Sequence, residues 1–146
     1  MIETRQIAEK IILAGLQTPG TDPALFEEDM HEMQLLCETA GASVVAIITQ
    51  KREKPESSTY MGRGKIEEIR SVMKANDAKT LIIDAQLSPA QVRNIEKIVQ
   101  GKVIDRNQLI LDIFAKHART SESRIQVELA QMRTLYPRLT HAWTHF

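Results

Sequence analysis

The stretch GKVIDRNQLILDIFAKHARTSESRIQVELAQMRTLYPRL, residues 101–139, decides how the chain is divided. Its start, Lys102-Val-Ile104, has the length of a buried strand, and Asp105 with Gln108 has the spacing of a helix-capping box. From Asn107 a helical run of about thirty residues follows, against an average of about 11–12 for a globular helix. Leu109, Ile110, Leu111, Ile113 and Phe114 form a dense apolar start, fit to pack on a sheet. Beyond it Phe114, Ala118, Ser121, Ile125, Leu129, Met132 and Tyr136 recur every three or four residues, a seam that needs a facing helix. Pro137 ends or kinks the run. The last residues, Thr140–Phe146, are too short to be that partner, so the seam requires another chain, through self-association, or a returning helix of the same protein.

Upstream, the pattern alternates strand and helix. Lys10–Leu16 is a short continuous apolar run of the kind covered on both faces of a sheet. Asp22-Pro23 supplies a cap and a first-turn proline for a helix with Leu25, Phe26, Met33, Leu36, Cys37 and Ala40 on one face, interrupted by Asp29 and ended by Gly41. Ser43–Thr49 is the second strand, followed by a charged loop of about ten residues, long for a βα connection. Met61-Gly-Arg-Gly-Lys65 opens a helix with Ile66, Ile69, Val72 and Met73 on one side. Thr80–Asp84 is the third strand, and Ser88-Pro89-Ala-Gln91 opens a helix presenting Val92, Ile95, Ile98 and Val99. These elements predict an α/β fold: a four-stranded, mostly parallel sheet with flanking helices over residues 1–106, then a helical arm and the start of a loop over residues 107–146. Ligands of such sheets sit beyond the carboxyl ends of the strands, here near Gln17, Gln50, Asp84 and Asp105.

Charge is balanced overall, with 19 Lys/Arg against 19 Asp/Glu, but unevenly placed: 12 against 15 up to Gln100 and 7 against 4 thereafter. The basic second part is a mild pointer to an anionic partner. A single cysteine, Cys37, excludes an internal disulfide and a cysteine-based zinc site, and reads as a small buried residue on a helix. No apolar run reaches the roughly 20 residues that span a bilayer, and the N-terminus lacks the pattern of a signal peptide, so a cytoplasmic protein without a membrane partner is expected.

Gly62-Arg63-Gly64-Lys65 has the ingredients of a phosphate cradle, with backbone N–H groups at a helix N-terminus and a lysine. It lacks the four-residue spacer and the Ser/Thr of a magnesium-nucleotide loop. A structural turn, a contact to RNA phosphate through Arg63 and Lys65, and a nucleotide site at Gly62, Gly64 and Lys65 all remain open. Asp84 and Asp105 have no companions that would make them catalytic, and Asp105 is explained as a cap. His117, His141 and His145 form no metal triplet. No catalytic and no metal residue is therefore assigned. Arg119, Arg124, Arg133 and Arg138 along the arm are candidates for phosphate contact, with Glu128 as a partial counter-charge. Trp143 and Phe146 can stack on bases or bury against a partner element.

Tyr60-Met-Gly-Arg-Gly-Lys-Ile-Glu-Glu-Ile69, Leu87-Ser-Pro-Ala-Gln-Val-Arg-Asn-Ile-Glu96, Val103-Ile-Asp-Arg-Asn-Gln-Leu-Ile-Leu-Asp-Ile-Phe-Ala115 and Gln126-Val-Glu-Leu-Ala-Gln-Met-Arg133 with Pro137-Arg-Leu139 together resemble the N-terminal region of the HflX family of ribosome-associated GTPases. The resemblance covers nearly the whole chain. It implies an α/β subdomain, one leg of a long antiparallel helical hairpin, and a GTPase domain carrying GTP and magnesium outside these residues. It also implies docking on the large ribosomal subunit and its rRNA, in splitting or rescue of stalled ribosomes, with a glycine-rich hairpin tip directed to the peptidyl transferase centre. ATP binding by the N-terminal region belongs to the same resemblance. Ser121-Glu-Ser123 and Thr134 depart from the family pattern, and no P-loop occurs in these residues. The chain is thus expected to hydrolyse no GTP itself and to act as a ribosome-binding module, with a nucleotide-binding regulatory domain or a dimerisation module as the rival readings.

Overall fold

The structure, a computed structural model, describes residues 9–117. The chain divides into two units, Met1–Leu109 and Ile110–Phe146. In the first, β1 (Glu9–Gln17), α1 (Pro23–Thr39), β2 (Ala42–Lys51), α2 (Arg63–Ala75), β3 (Thr80–Ile83), α3 (Pro89–Val99) and β4 (Lys102–Asp105) alternate as the sequence predicts, and α4 spans Arg106–His117. The predicted seam from Ala118 onward, Arg119, Arg124, Arg133, Arg138, Trp143 and the hairpin leg they belong to lie outside the described residues.

The four strands form one parallel sheet in the order β2-β1-β3-β4. The chain moves outward from β1 to β2 and then crosses back over β1 to reach β3. β1 therefore lies inside the sheet, and Ile11 to Leu16 are all buried, which is why its sequence is apolar without alternation. β2 is an edge strand, and Ile47 on it is 45% exposed. Its register against β1 slips between Ile11 and Ile12.

Helices cover both faces of β1. On one, Ile12, Ala14 and Leu16 join Ile66, Ile69 and Met73 of α2 and Ile95 and Val99 of α3 in a single core. On the other, Gly15 lies under α1, where a Cβ would collide with Met30 Sδ. The buried residues of α1 are Met30, Met33 and Cys37, at helical spacing. Met33 and Cys37 lie on the expected face, which is corrected at its start: Met30 is buried beside the interrupting Asp29, and Leu25 is 55% exposed. Apolar residues on both sides of α1 made its inward face ambiguous in the sequence.

The capping chemistry follows the residues. Asp22 accepts from the Ala24 N–H at 3.0 Å with Pro23 behind it. Ser88 and Gln91 form the reciprocal capping box, at 3.1 and 2.9 Å. Asp105 Oδ1 accepts from the Gln108 N–H at 2.9 Å, at the start of α4. The charged loop after β2 is more ordered than its composition suggests. Glu56 and Tyr60 exchange backbone hydrogen bonds at 2.9 and 2.8 Å, and α3 holds the same loop through Gln91 Nε2 to Ser57 O and Asn94 Nδ2 to Ser58 O.

Candidate functional site

The glycine turn is built by what precedes it. Tyr60 takes a left-handed conformation, φ 63°, which is uncommon for a bulky residue. The turn carries Met61 into the core, fully buried. The Thr59 hydroxyl, also buried, donates to Met61 O at 2.7 Å. Gly62 then forms the N-cap of α2 without any side-chain cap. Its N–H donates to Gln50 Oε1 at 2.9 Å, and a Cβ there would lie 2.7 Å from Arg52 Nη1. Glycine at 62 thus lets the Gln50 and Arg52 side chains close on the helix start. Gly64 is different: a Cβ would meet nothing within 4 Å, so the first unit places no steric demand for glycine there.

The two candidate cations diverge. Arg63 is exposed, whereas Lys65 is only 25% exposed and its Nζ lies 3.2 Å from Glu68 Oε1. With Gly62 N–H held by Gln50, Lys65 paired to Glu68, and buried Ile66 rather than Ser or Thr after the lysine, these residues do not fit a GTP–magnesium loop. Among the described residues no group of three or more His, Cys, Asp or Glu could hold a metal ion, and no helix is long and apolar enough to cross a membrane.

At the carboxyl ends of the strands, backbone hydrogen bonds stitch the loops to neighbouring strands: Asp84 N to Ala14 O, Arg106 N to Ala85 O, and Arg52 N to Gln17 O. Asp84 and Asp105 have structural work. Asp105 Oδ2 accepts from the Leu87 N–H at 3.1 Å. Asp84, with its side chain 9% exposed, pairs with Arg106 at 2.8 Å. Burial pushes the Asp84 carboxyl above the ordinary carboxylate value even though Arg106 pulls it down, with Asp29 and Glu32 adding to the rise. The Tyr60 hydroxyl is raised by burial and by Asp84. Gln17, Lys51 and Arg52 line an open cavity of about 500 Å³ at these ends, with Thr18, Pro19 and Glu53.

Cations that sequence reasoning passed over lie beside Arg63 on the α2–α3 side. Arg70 and Lys74 of α2 and Lys97 of α3 line one groove of about 500 Å³ with Arg63. Arg63, Arg70 and Lys74 are seven and four residues apart, a spacing visible in the sequence, but nothing in it put Lys97 beside them.

A family model described as "GTP-binding GTPase N-terminal" matches residues 27–115. Proteins named "GTPase HflX" are similar over most of the chain. That of Flavobacterium psychrophilum is 45% identical over 94% of this chain and 33% of its own length. That of Escherichia coli is 47% identical over 81% of this chain and 28% of its own length. The chain belongs to the HflX family of GTP-binding proteins. It corresponds to the N-terminal, GTPase-associated part of that family and spans about a third of the length of the curated relatives it matches. Among solved structures, the complex of SsGBP with GDP has a TM-score of 0.61 at 29% identity, over 85% of this chain and 34% of that one. A GTP-binding protein from the hyperthermophilic archaeon Sulfolobus solfataricus, also in complex with GDP, has a TM-score of 0.57 at 28% identity, over 91% of this chain and 39% of that one. In this HflX-family chain, the matched residues 27–115 hold α2, α3 and the glycine turn.

Proposed function

We propose that this chain is the ribosome-binding N-terminal module of an HflX-like GTP-binding protein that acts on the large ribosomal subunit, in splitting or rescue of stalled ribosomes. The observation that carries the reading is the match to proteins named "GTPase HflX" across nearly the whole chain. GTP hydrolysis, with magnesium, belongs to a GTPase domain outside residues 1–146 and drives or resets release. The α/β body positions the arm, whose partner is a returning helix in a hairpin, and basic side chains meet rRNA phosphate. Phosphate contacts of this kind fix position and register rather than reading sequence. Arg63 and Lys65 at the glycine turn and Arg119, Arg124, Arg133 and Arg138 along the arm are the proposed contacts, with Trp143 available for base stacking. For Lys65 the contact requires exchange of its pairing with Glu68.

Sedimentation of the chain with purified large subunits tests the reading. Saturable co-sedimentation that weakens steeply with salt is expected; no co-sedimentation at low salt sinks it. One observation favours a second reading, nucleotide binding: α2 has no side-chain cap, so beyond the Gly62 N–H, which Gln50 holds, the N–H groups of its first turn lack a capping side chain. Saturable ATP binding lost on Lys65→Ala, without subunit binding, favours that alternative.

A further inference from the structure

β2 has an open side. It is an outer strand in the order β2-β1-β3-β4, ten residues long, with no proline and no charge before Lys51. None of its residues is fully buried, although Val44, Val45, Ala46, Ile47 and Ile48 are all apolar. The Arg52 N–H donates to Gln17 O, and backbone groups along a parallel strand address its two neighbours alternately. Ile48 and Gln50 therefore turn theirs to β1, and Ile47, Thr49 and Lys51 turn theirs outward. No described strand pairs with that outer side. A long, apolar edge without proline or a central charge is a template for another strand.

The groove beside this edge has a sign. Phe26 and Met30 of α1 and Ile47 and Thr49 of β2 line an open cavity of about 640 Å³, together with Glu27 and Gln34. Glu27, His31, Gln34 and Glu38 follow one another at steps of three or four and so share the side of α1 that faces it. That side carries an exposed acid at each end. α1 has no Lys or Arg, and neither Glu27 nor Glu38 has an ion pair among the described residues. Lys51 is the one cation that lines the groove. The cations of α2 and α3 belong to the opposite face of the sheet.

We infer that the outer edge of β2 and its groove against α1 bind an extended, basic segment of a partner protein, which joins the sheet as a fifth strand. Main-chain hydrogen bonds to Ile47, Thr49 and Lys51 give such a strand its affinity, and alternate side chains give it specificity. Those on the α1 side meet an apolar floor between two acids. Glu27 and Glu38 are eleven residues apart, about 16 Å along the helix. Four strand residues span about 13 Å, and lysine side chains cover the difference. The fitting segment thus has a base at every fourth position and an apolar residue midway between. Charge excludes a second copy of this chain. Antiparallel pairing of two β2 edges would set two α1 helices side by side, acid against acid, and the cations a copy could offer on α2 and α3 are helical.

The test uses the full chain and a nine-residue peptide with lysine at every fourth position, valine midway between and threonine elsewhere. Saturable binding is expected, with new protection from hydrogen exchange at the Ile47, Thr49 and Lys51 amides. The Ile48 and Gln50 amides, already bonded to β1, should change little. Thr49→Pro removes an outward N–H without touching the β1 ladder and should abolish binding. Glu27→Gln/Glu38→Gln, at exposed positions, should weaken it about fivefold. Glu28→Gln/Glu32→Gln, an equal charge loss elsewhere on α1, should change it by less than about twofold. If Thr49→Pro does not fold, the alternating amide protection and the two charge variants decide. No saturable binding, equal loss in the control variant, or protection without the odd–even pattern overturns the inference. So does equally tight binding of the same peptide with glutamate for lysine. Protection of those amides by raised protein concentration alone gives the edge to a second copy and overturns it too.

Discussion

At the scale of single residues, three positions have consequences that can be measured. Gly64 lies in the first turn of α2, where a Cβ would meet nothing. Glycine in a helix is less stable than alanine by about 0.5–1 kcal/mol, so Gly64→Ala should raise the melting temperature by a few degrees. A simultaneous loss of large-subunit binding would show that the bare backbone is kept for close approach of a partner. Gly101 behaves oppositely. A Cβ there would lie 2.8 Å from the Lys79 carbonyl oxygen and 3.0 Å from Met73 Cε, and backbone cannot yield as a flexible side chain does. Gly101→Ala should cost about 1–3 kcal/mol in denaturant unfolding. Cys37 is fully buried, and burial, with Glu38 and Asp84, pushes its thiol up to about 12. The folded protein keeps that proton between pH 9 and 12 while the unfolded chain loses it, so stability should fall as pH rises through this window. Cys37→Ala should flatten that part of the pH profile, and thiol reagents should label Cys37 only on unfolding.

At the scale of elements, Asp84 and Arg106 join the end of β3 to the first residue of α4. The raised Asp84 carboxyl means the folded protein holds a proton there that the unfolded chain releases from pH 3.8 upward. The contribution of this group is therefore most favourable below that pH and declines as pH rises toward the folded value. Arg106→Ala removes the charge and the hydrogen bond that oppose the rise. At pH 7 it should cost about 1–3 kcal/mol, at the low end because Arg106 is 36% exposed and water screens the pair. At pH 3 the cost should shrink, since a protonated Asp84 no longer needs a counter-charge. Urea unfolding at the two pH values measures the difference, and an equal cost at both would reject the pairing account. Most elements were legible at this scale because each carries its own punctuation: Asp22-Pro23, Ser88-Pro89 with Gln91, and Asp105 with Gln108 start helices where the hydrogen bonds are found. The inward face of α1 was read correctly at Met33 and Cys37, which are buried, and wrongly at its start, where Leu25, 55% exposed, looks as apolar as the Met30 that is buried instead.

At the scale of the whole molecule, the family match makes a catalytic prediction. Incubated with GTP and magnesium, the chain should show no turnover above a purified blank, since residues 1–146 contain no P-loop sequence; measurable hydrolysis would overturn the division of labour proposed above. The sequence by itself determined the α/β class, the succession of strands and helices, the burial of β1 and the family, because periodicity, caps and motifs are local properties of the chain. It did not determine that β2 is an edge strand, that Lys65 is held by Glu68, or that Arg70, Lys74 and Lys97 share one groove. Those depend on the order β2-β1-β3-β4 and on α2 and α3 lying side by side, and adjacency across a sheet is set by which packing buries the most apolar surface. The glycine turn was visible as a candidate phosphate site from its residues alone. The broader basic face beside it exists only because the tertiary fold gathers cations from two helices and leaves the acids of α1 on the other side.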